Sequence, residues 1–399
     1  MANLLYLVHR IPYPPNKGDK IRSFHFLKHF SQRHRVFLGT FVDDPSDLEH
    51  AETIRRYTEG SLALPLSRRL FAFKGLLGLV RGQPLTQALY ADRRLVAWCR
   101  KQVEAGRIDA VFVFSSAMAQ FVDPRWPIPK IVDFVDVDSD KWQQYAGKKP
   151  FWSRWIYRRE ATKLLRYDRK VARTFDLCLF VSPQEAELFK ALAPEVAPKV
   201  DCVENGVDTG YFKPGREFPS PYRPGEEVLV FTGAMDYWAN VDAVRWFADQ
   251  VFPKVLQYHV EARFYIVGAR PSAAVKLLGR REGVVVTGAV EDIRPYLIHA
   301  RLAVAPLRIA RGVQNKVLEA LAMGKSVLAT SMAVDGLKLP FGLDVRIADT
   351  PQAMADFVVQ ALRERDFLPR YSAVNRNFVE MRYSWNKHLE RLDALLDAL

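Results

Sequence analysis

A chain of 399 residues in which 49% are apolar is long enough for two domains, each with its own core. No run approaches the roughly 18–20 apolar residues of a spanning helix, so no transmembrane helix is read. The net charge of +13 points to an anionic partner: a nucleotide, a membrane surface, an acidic polymer or a nucleic acid.

The chain opens on a short apolar run, Leu4 to Val8, with no basic leader or cleavage site. It reads as a first strand and not as a signal peptide. The cysteines, Cys99, Cys178 and Cys202, lack metal-ligand spacing and cannot all pair, which favours a reducing cytoplasm. After the first strand, Arg10 to Arg22 is a proline-braced loop in which Gly18 precedes a helix over Arg22–His29 and lets a ligand approach the backbone. The glycine spacing of a dinucleotide-binding loop is absent. Further strands are predicted at Arg35–Phe41, Ala110–Phe114, Lys130–Val135, Leu177–Val181 and Val200–Val203. Strands interleaved with helices imply a parallel sheet covered on both faces.

Asp133 lies in the Lys130–Val135 strand and Asp136, Asp138 and Asp140 follow it, where α/β proteins build sites. Asp136 or Asp138 is expected to orient hydroxyls of a bound substrate. The alternatives are a cap on a helix starting near Lys141 and, less favoured, one half of a metal site. Two stretches then mix aromatic and basic residues: Arg68–Arg81, and Lys148–Arg159 continued by Lys163, Arg166, Arg169, Lys170 and Arg173. Such composition suits an interfacial helix on anionic lipid, so peripheral attachment of the N-terminal half to a membrane face is expected; a core packing with solvated bases is the alternative.

Val203 to Pro214 is a strand end, an Asn205–Gly206 turn and the aromatic pair Tyr211–Phe212. Four prolines and two glycines in 214–225 mark a linker. The second half repeats the scheme, with strands at Val228–Phe231, Arg263–Val267, Val284–Thr287, Leu302–Pro306 and Ser326–Ala329. Its most informative stretch is 307–328. A buried strand ends, Arg308, Arg311 and Gly312 form a basic loop free to turn, and Val317, Leu318, Leu321 and Ala322 follow at helical spacing until Gly324. This order aims free backbone N–H groups and a positive dipole end at one point. Lys316 in the first turn opposes the dipole and so calls for an anion. Glu319, one turn on, is placed to accept from a pair of sugar hydroxyls.

Glu319–Ala320 with Gly324 and the strand after it resembles the second half of the donor motif of family-4 retaining glycosyltransferases. These enzymes have the GT-B fold. The motif's first glutamate falls at Arg311, a departure from the pattern. The Asn205–Gly206–Val207–Asp208 string with Tyr211–Phe212–Lys213–Pro214 looks like the interdomain hinge of that family. Gly18, Gly233, Gly268 and Gly288 fall at positions similar to its strand-end glycines. The basic pair that many members carry after the glycine at 233 is missing, with Arg308, Arg311 and Lys316 as replacements. The stretches Gly233–Trp238 and Asp133–Trp142 further resemble sugar transferases of bacterial exosortase-associated (PEP-CTERM) exopolysaccharide systems.

The resemblance implies an α/β GT-B architecture: two doubly wound Rossmann-like domains facing across a cleft. It places an acceptor-side domain at 1–210, a linker at 211–225, a nucleotide-sugar domain at 226–378, and a helix at 379–399 crossing back to the first domain. It implies a hexosyl transfer from a nucleotide-diphosphate donor to an acceptor hydroxyl with retention, without a metal or other cofactor. Asp136 and Lys316 are then the catalytic candidates. Gly18, Gly233, Gly288, Arg308, Arg311, Gly312, Asn315, Lys316 and Glu319 are the donor-binding ones. The acceptor is a glycan or lipid-linked, and the location cytoplasmic at the inner membrane face. A nucleotide-sugar epimerase of the same fold is the alternative. A nucleic-acid-binding scaffold has only the charge in its favour, so no nucleic-acid partner is expected.

Overall fold

The computed structural model describes residues 1–15, 18–66, 71–148, 151–215, 218–310, 312–364, 366–369 and 372–399. By contact the chain divides into two units, Met1–Asn205 with Leu389–Leu399, and Gly206–His388.

The first unit carries seven strands: β1 (Asn3–Val8), β2 (Arg35–Val42), β3 (Gly60–Pro65), β4 (Ala110–Phe114), β5 (Lys130–Val135), β6 (Leu177–Phe180) and β7 (Val200–Cys202). They form one sheet in the order β3-β2-β1-β4-β5-β6-β7, and every pairing is parallel. β1, β4 and β6 are apolar throughout or nearly so because helices cover both faces of such a sheet. β3 escaped sequence reading for the converse reason. It is an edge strand that begins on glycine, ends on proline and buries only Leu64.

The helix predicted over Arg22–His29 spans Gly18–Arg33. Two charged residues at core-facing positions, Lys20 and Arg22, hid its apolar face. Lys20 Nζ donates to Asp47 at 2.5 Å, and Arg22 Nε donates to Asp133 Oδ2 at 2.7 Å, both pairs buried. Arg22 also donates to the Val203 carbonyl at 2.7 Å and to Asn205 at 3.1 Å. One guanidinium thus ties the helix to the ends of β5 and β7.

The second unit carries β8 (Glu227–Thr232), β9 (Ala262–Val267), β10 (Val284–Gly288), β11 (Leu302–Ala305), β12 (Val327–Ala329) and β13 (Val345–Ile347). Their order is β10-β9-β8-β11-β12-β13, again all parallel. The order reverses direction between β8 and β11, and open α/β sheets bind ligands at the carboxyl ends of such a pair. β13 is a short, mostly exposed edge with no apolar run for a sequence reading to catch.

Of the stretch 211–225, expected as a linker, residues 211–215 and 218–225 fall by contact in the second unit. Phe212 is buried in its core, and the Tyr222 hydroxyl donates to the Tyr296 carbonyl at 2.5 Å. The stretch 206–208 is anchored in the same unit: Val207 N donates to the Tyr383 carbonyl, and a Cβ on Gly206 would lie 2.5 Å from Trp385 N. In the first unit, His29 Nε2 and Arg33 each sit 2.7 Å from Asp393, and Arg391 pairs with Asp201. All three cysteines are free thiols. Among the described residues no helix is long and apolar enough to cross a membrane.

Candidate functional site

Three segments of the second unit converge where β8 and β11 end. β8 delivers Phe231 and then Gly233. The helix Trp238–Trp246 brings Asn240, and the helix Asn315–Ala322 brings Lys316. Lys316 Nζ donates to Asn240 Oδ1 at 2.5 Å and lies 4.3 Å from the Phe231 ring centroid. The Asn240 amide is oriented by its own Nδ2, which donates to the Ala234 carbonyl at 2.9 Å and so turns the oxygen toward Lys316. Gly233 fits between them because it lacks a side chain. A Cβ there would stand 2.8 Å from Asn240 Nδ2 and 3.3 Å from Lys316 Nζ.

The partners of this ammonium are an amide oxygen and an aromatic face, both neutral. No carboxylate lies within ion-pair distance of it among the described residues. Burial therefore pulls Lys316 down to about 7, against the pull of Glu319. Burial likewise pushes the Glu319 carboxyl up to about 7, against the pull of Lys316. The two groups are one turn apart on one helix. Helix Asn315–Ala322 begins at Gln314 with no side-chain cap, and it stops where Gly324 takes a φ of 68°. Uncapped amides, a cation without a carboxylate partner and a carboxyl one turn on are chemically a seat for an anion bearing hydroxyl groups.

The other residues singled out from sequence fall in different places. Asn315 is the first residue of the Lys316 helix, and Gly312, exposed with a φ of 65°, lies in the loop before it. The carbonyl carbon of Gly312 would stand 2.6 Å from a Cβ on Gly336, so this loop packs against a second glycine. Arg308 is in the loop too, but its guanidinium is engaged with the Asp242 carboxylate, 5.8 Å from the Trp246 ring centroid. Arg311 lies outside the described residues. Gly288 ends β10 with a φ of 74° and open space where a Cβ would stand. Asn240 was missed as a site residue. It is 76 positions from Lys316, and nothing in its local spacing marks it.

Gly18 and Asp136 belong to the first unit. Gly18 starts the Gly18–Arg33 helix, with nothing within 4 Å of where a Cβ would stand. Asp136 follows β5 and pairs with Lys141 at 2.6 Å; Asp138 reaches the same ammonium at 3.2 Å. Burial opposes the charge on Lys141, but the Asp138 and Asp136 carboxylates hold its pKa above the ordinary value. Asp133, the first carboxylate of the string, faces inward to Arg22. The aromatic and basic stretches are described in part: 67–70 and 149–150 lie outside the described residues.

Comparison with known proteins returned one family model, glycosyl transferases group 1, matching residues 226–364. No curated protein sequence matches the chain. Solved structures align over the whole length. HepE from Anabaena, solved with UDP and glucose, is 13% identical with a TM-score of 0.64, covering 100% of both chains. Sucrose-phosphate synthase from Thermosynechococcus elongatus is 13% identical with a TM-score of 0.70, covering 100% of this chain and 99% of its own. WaaG, a glycosyltransferase involved in lipopolysaccharide biosynthesis, is 14% identical with a TM-score of 0.64, covering 98% of this chain and 99% of its own. The fold is therefore that of the GT-B glycosyltransferases, and within the second unit residues 226–364 match the group 1 glycosyltransferase model.

Proposed function

We propose that this glycosyltransferase of the GT-B fold moves a sugar from a nucleoside-diphosphate donor to an acceptor hydroxyl with retention of configuration, as a family-4-like enzyme. The observation that carries the reading is Lys316. It is an ammonium held on a ring face and an amide, without a carboxylate partner among the described residues, beside an uncapped helix start at the strand-order reversal of the second sheet. A donor diphosphate there supplies the missing negative charge. As the sugar bond breaks, charge grows on the departing diphosphate, and Lys316 with the helix amides offsets it. Glu319, as carboxylate, accepts from the ribose hydroxyls. With no paired carboxylates arranged as nucleophile and acid among the described residues, the diphosphate itself takes the acceptor proton. Asp136 is the residue assigned to orienting the acceptor, once released from Lys141.

UDP is the first nucleotide to test, because it is bound in the Anabaena HepE structure. The acceptor is assigned to exopolysaccharide or another glycan assembled at the inner membrane face, which the basic aromatic stretches of the first unit would contact. The test begins with a thermal-shift screen of nucleoside diphosphates and goes on to turnover with their sugar forms. Lys316→Ala and Glu319→Ala are expected to unfold like wild type yet lose turnover by about a hundredfold or more. Wild-type turnover in both would refute the assignment. Product analysis by NMR is expected to show the donor's anomeric configuration preserved. Donor consumed in the absence of any acceptor would indicate epimerisation instead. Turnover is expected to be unchanged by a chelator, since the mechanism routes no step through a metal.

A further inference from the structure

In the first unit a cavity of about 410 Å³ opens among the helices Phe71–Val80, Leu85–Tyr90 and Arg93–Glu104 and the turn Ser116–Phe121. Its walls are chiefly apolar, with Phe73, Leu77, Ala88, Val96 and Phe121 among them. The first two helices form a tight hairpin: a Cβ on Gly78 would lie 2.6 Å from that of Ala88. The hairpin is clamped from below by the helix Phe151–Thr174. Arg159 Nη2 donates to the carbonyls of Gly78, Leu79 and Gln83 at 3.2–3.4 Å, and Glu160 accepts from Leu85 N at 2.7 Å. The groove is therefore built into the fold.

The outer face of the same hairpin is unusual for a protein surface. Phe73, Leu76 and Val80 are 65%, 62% and 79% exposed and stand at i, i+3 and i+7, one stripe of a helix that contains no acidic residue. The charges at the groove are unbalanced. Asp92 is taken by Arg94 through two hydrogen bonds at 3.1 and 2.8 Å. Lys74 donates to the Leu89 and Ala91 carbonyls. Arg81 and Arg93, both exposed and both lining the cavity, have no ion-pair partner among the described residues. An apolar slot, an apolar outer stripe and two uncommitted guanidinium groups together describe the complement of one molecule: a hydrocarbon chain carrying an anionic head.

We infer that the first unit docks on a bilayer through Phe73, Leu76 and Val80, and that its groove seats one acyl chain of an anionic phospholipid whose phosphate lies against Arg81 and Arg93. This deepens the membrane reading given above and can fail while the nucleotide site stands. The size of the groove falls within the range of small-molecule sites.

The full chain is tested by co-sedimentation with vesicles of phosphatidylcholine alone and of equimolar phosphatidylcholine and phosphatidylglycerol. Binding to the mixed vesicles is expected, with Arg81→Ala/Arg93→Ala weakening it by about thirtyfold. Leu76→Ser/Val80→Ser, both at exposed positions, is expected to weaken it comparably. For the groove, fluorescence of cis-parinaric acid is expected to rise with wild type and not with Val96→Trp, which fills the slot from its partly exposed edge. All variants are checked by circular dichroism and by the thermal shift with UDP, so a loss of fold or of the nucleotide site is told apart. Equal binding of wild type to both vesicle types overturns the anionic head. An unaltered parinaric acid signal in Val96→Trp overturns the chain seat, and retention of an apolar peptide in its place would identify a protein partner.

Discussion

Lys316 gains from an anion because its hydrogen-bond and ring partners, Asn240 and Phe231, supply dipoles and no formal charge. The sign of the pH dependence follows. In the free protein its pKa is drawn down to about 7, so the ammonium begins to lose its proton above neutrality. A diphosphate beside it favours the charged form, and binding above about pH 7 takes up a proton. In a Glu319→Gln background, which removes the second group drawn to about 7, affinity for UDP is therefore expected to fall as pH rises beyond about 7, by at most about tenfold per unit. Calorimetry across pH 6–9 checks it, with Lys316→Met as the control that separates out the nucleotide's own ionisation. A slope identical in the two proteins would mean that Lys316 is not the linked group. At this scale the placing of Lys316 and Glu319 one turn apart on a helix was legible, because a spacing of three is local information. Asn240, which orients the ammonium, and Asp242, which occupies Arg308, come from another helix and become visible only when the sheet is assembled.

Elements were easiest to read where burial on both faces writes a continuous apolar run. β4 falls on its expected limits for this reason. Edge strands bury little, so β3 and β13 leave no such run. The Gly18–Arg33 helix was under-read because Lys20 and Arg22 occupy core positions with buried acid partners. Close backbone approach is a second kind of information that only the structure supplies. Gly233 and Gly268, at the ends of the neighbouring strands β8 and β9, are appressed so closely that a Cβ on Gly268 would lie 1.7 Å from the Gly233 carbonyl oxygen. Gly268→Ala must push β8's end away from β9, and with it the glycine facing Lys316. It is expected to destabilise by roughly 1–3 kcal/mol or more in urea unfolding, and to weaken UDP binding in whatever fraction stays folded. Wild-type values on both counts would show the strand ends to be looser than this apposition requires.

For the molecule as a whole, the sequence's alternation of strands and helices was enough for two parallel sheets, and the charge was enough to call for an anion, without saying where. The assignment of residues to units was harder, since a proline-rich composition at 214–225 suggests a free connector while its aromatic residues pack into the second core. The ends of the chain matter in the same way. Leu389 and Leu392 are buried, and Asp393 and Arg391 hold His29, Arg33 and Asp201. Removing residues 389–399 is expected to raise proteolytic susceptibility within 1–205 while leaving 206–388 protected, as peptide mapping would record.

That arrangement has a consequence for biosynthesis. A ribosome finishes residues 1–205 long before it makes residues 389–399, which cluster with them. The nascent first unit must therefore wait, with His29, Arg33 and Asp201 still lacking Asp393 and Arg391, through the entire translation of the intervening segment.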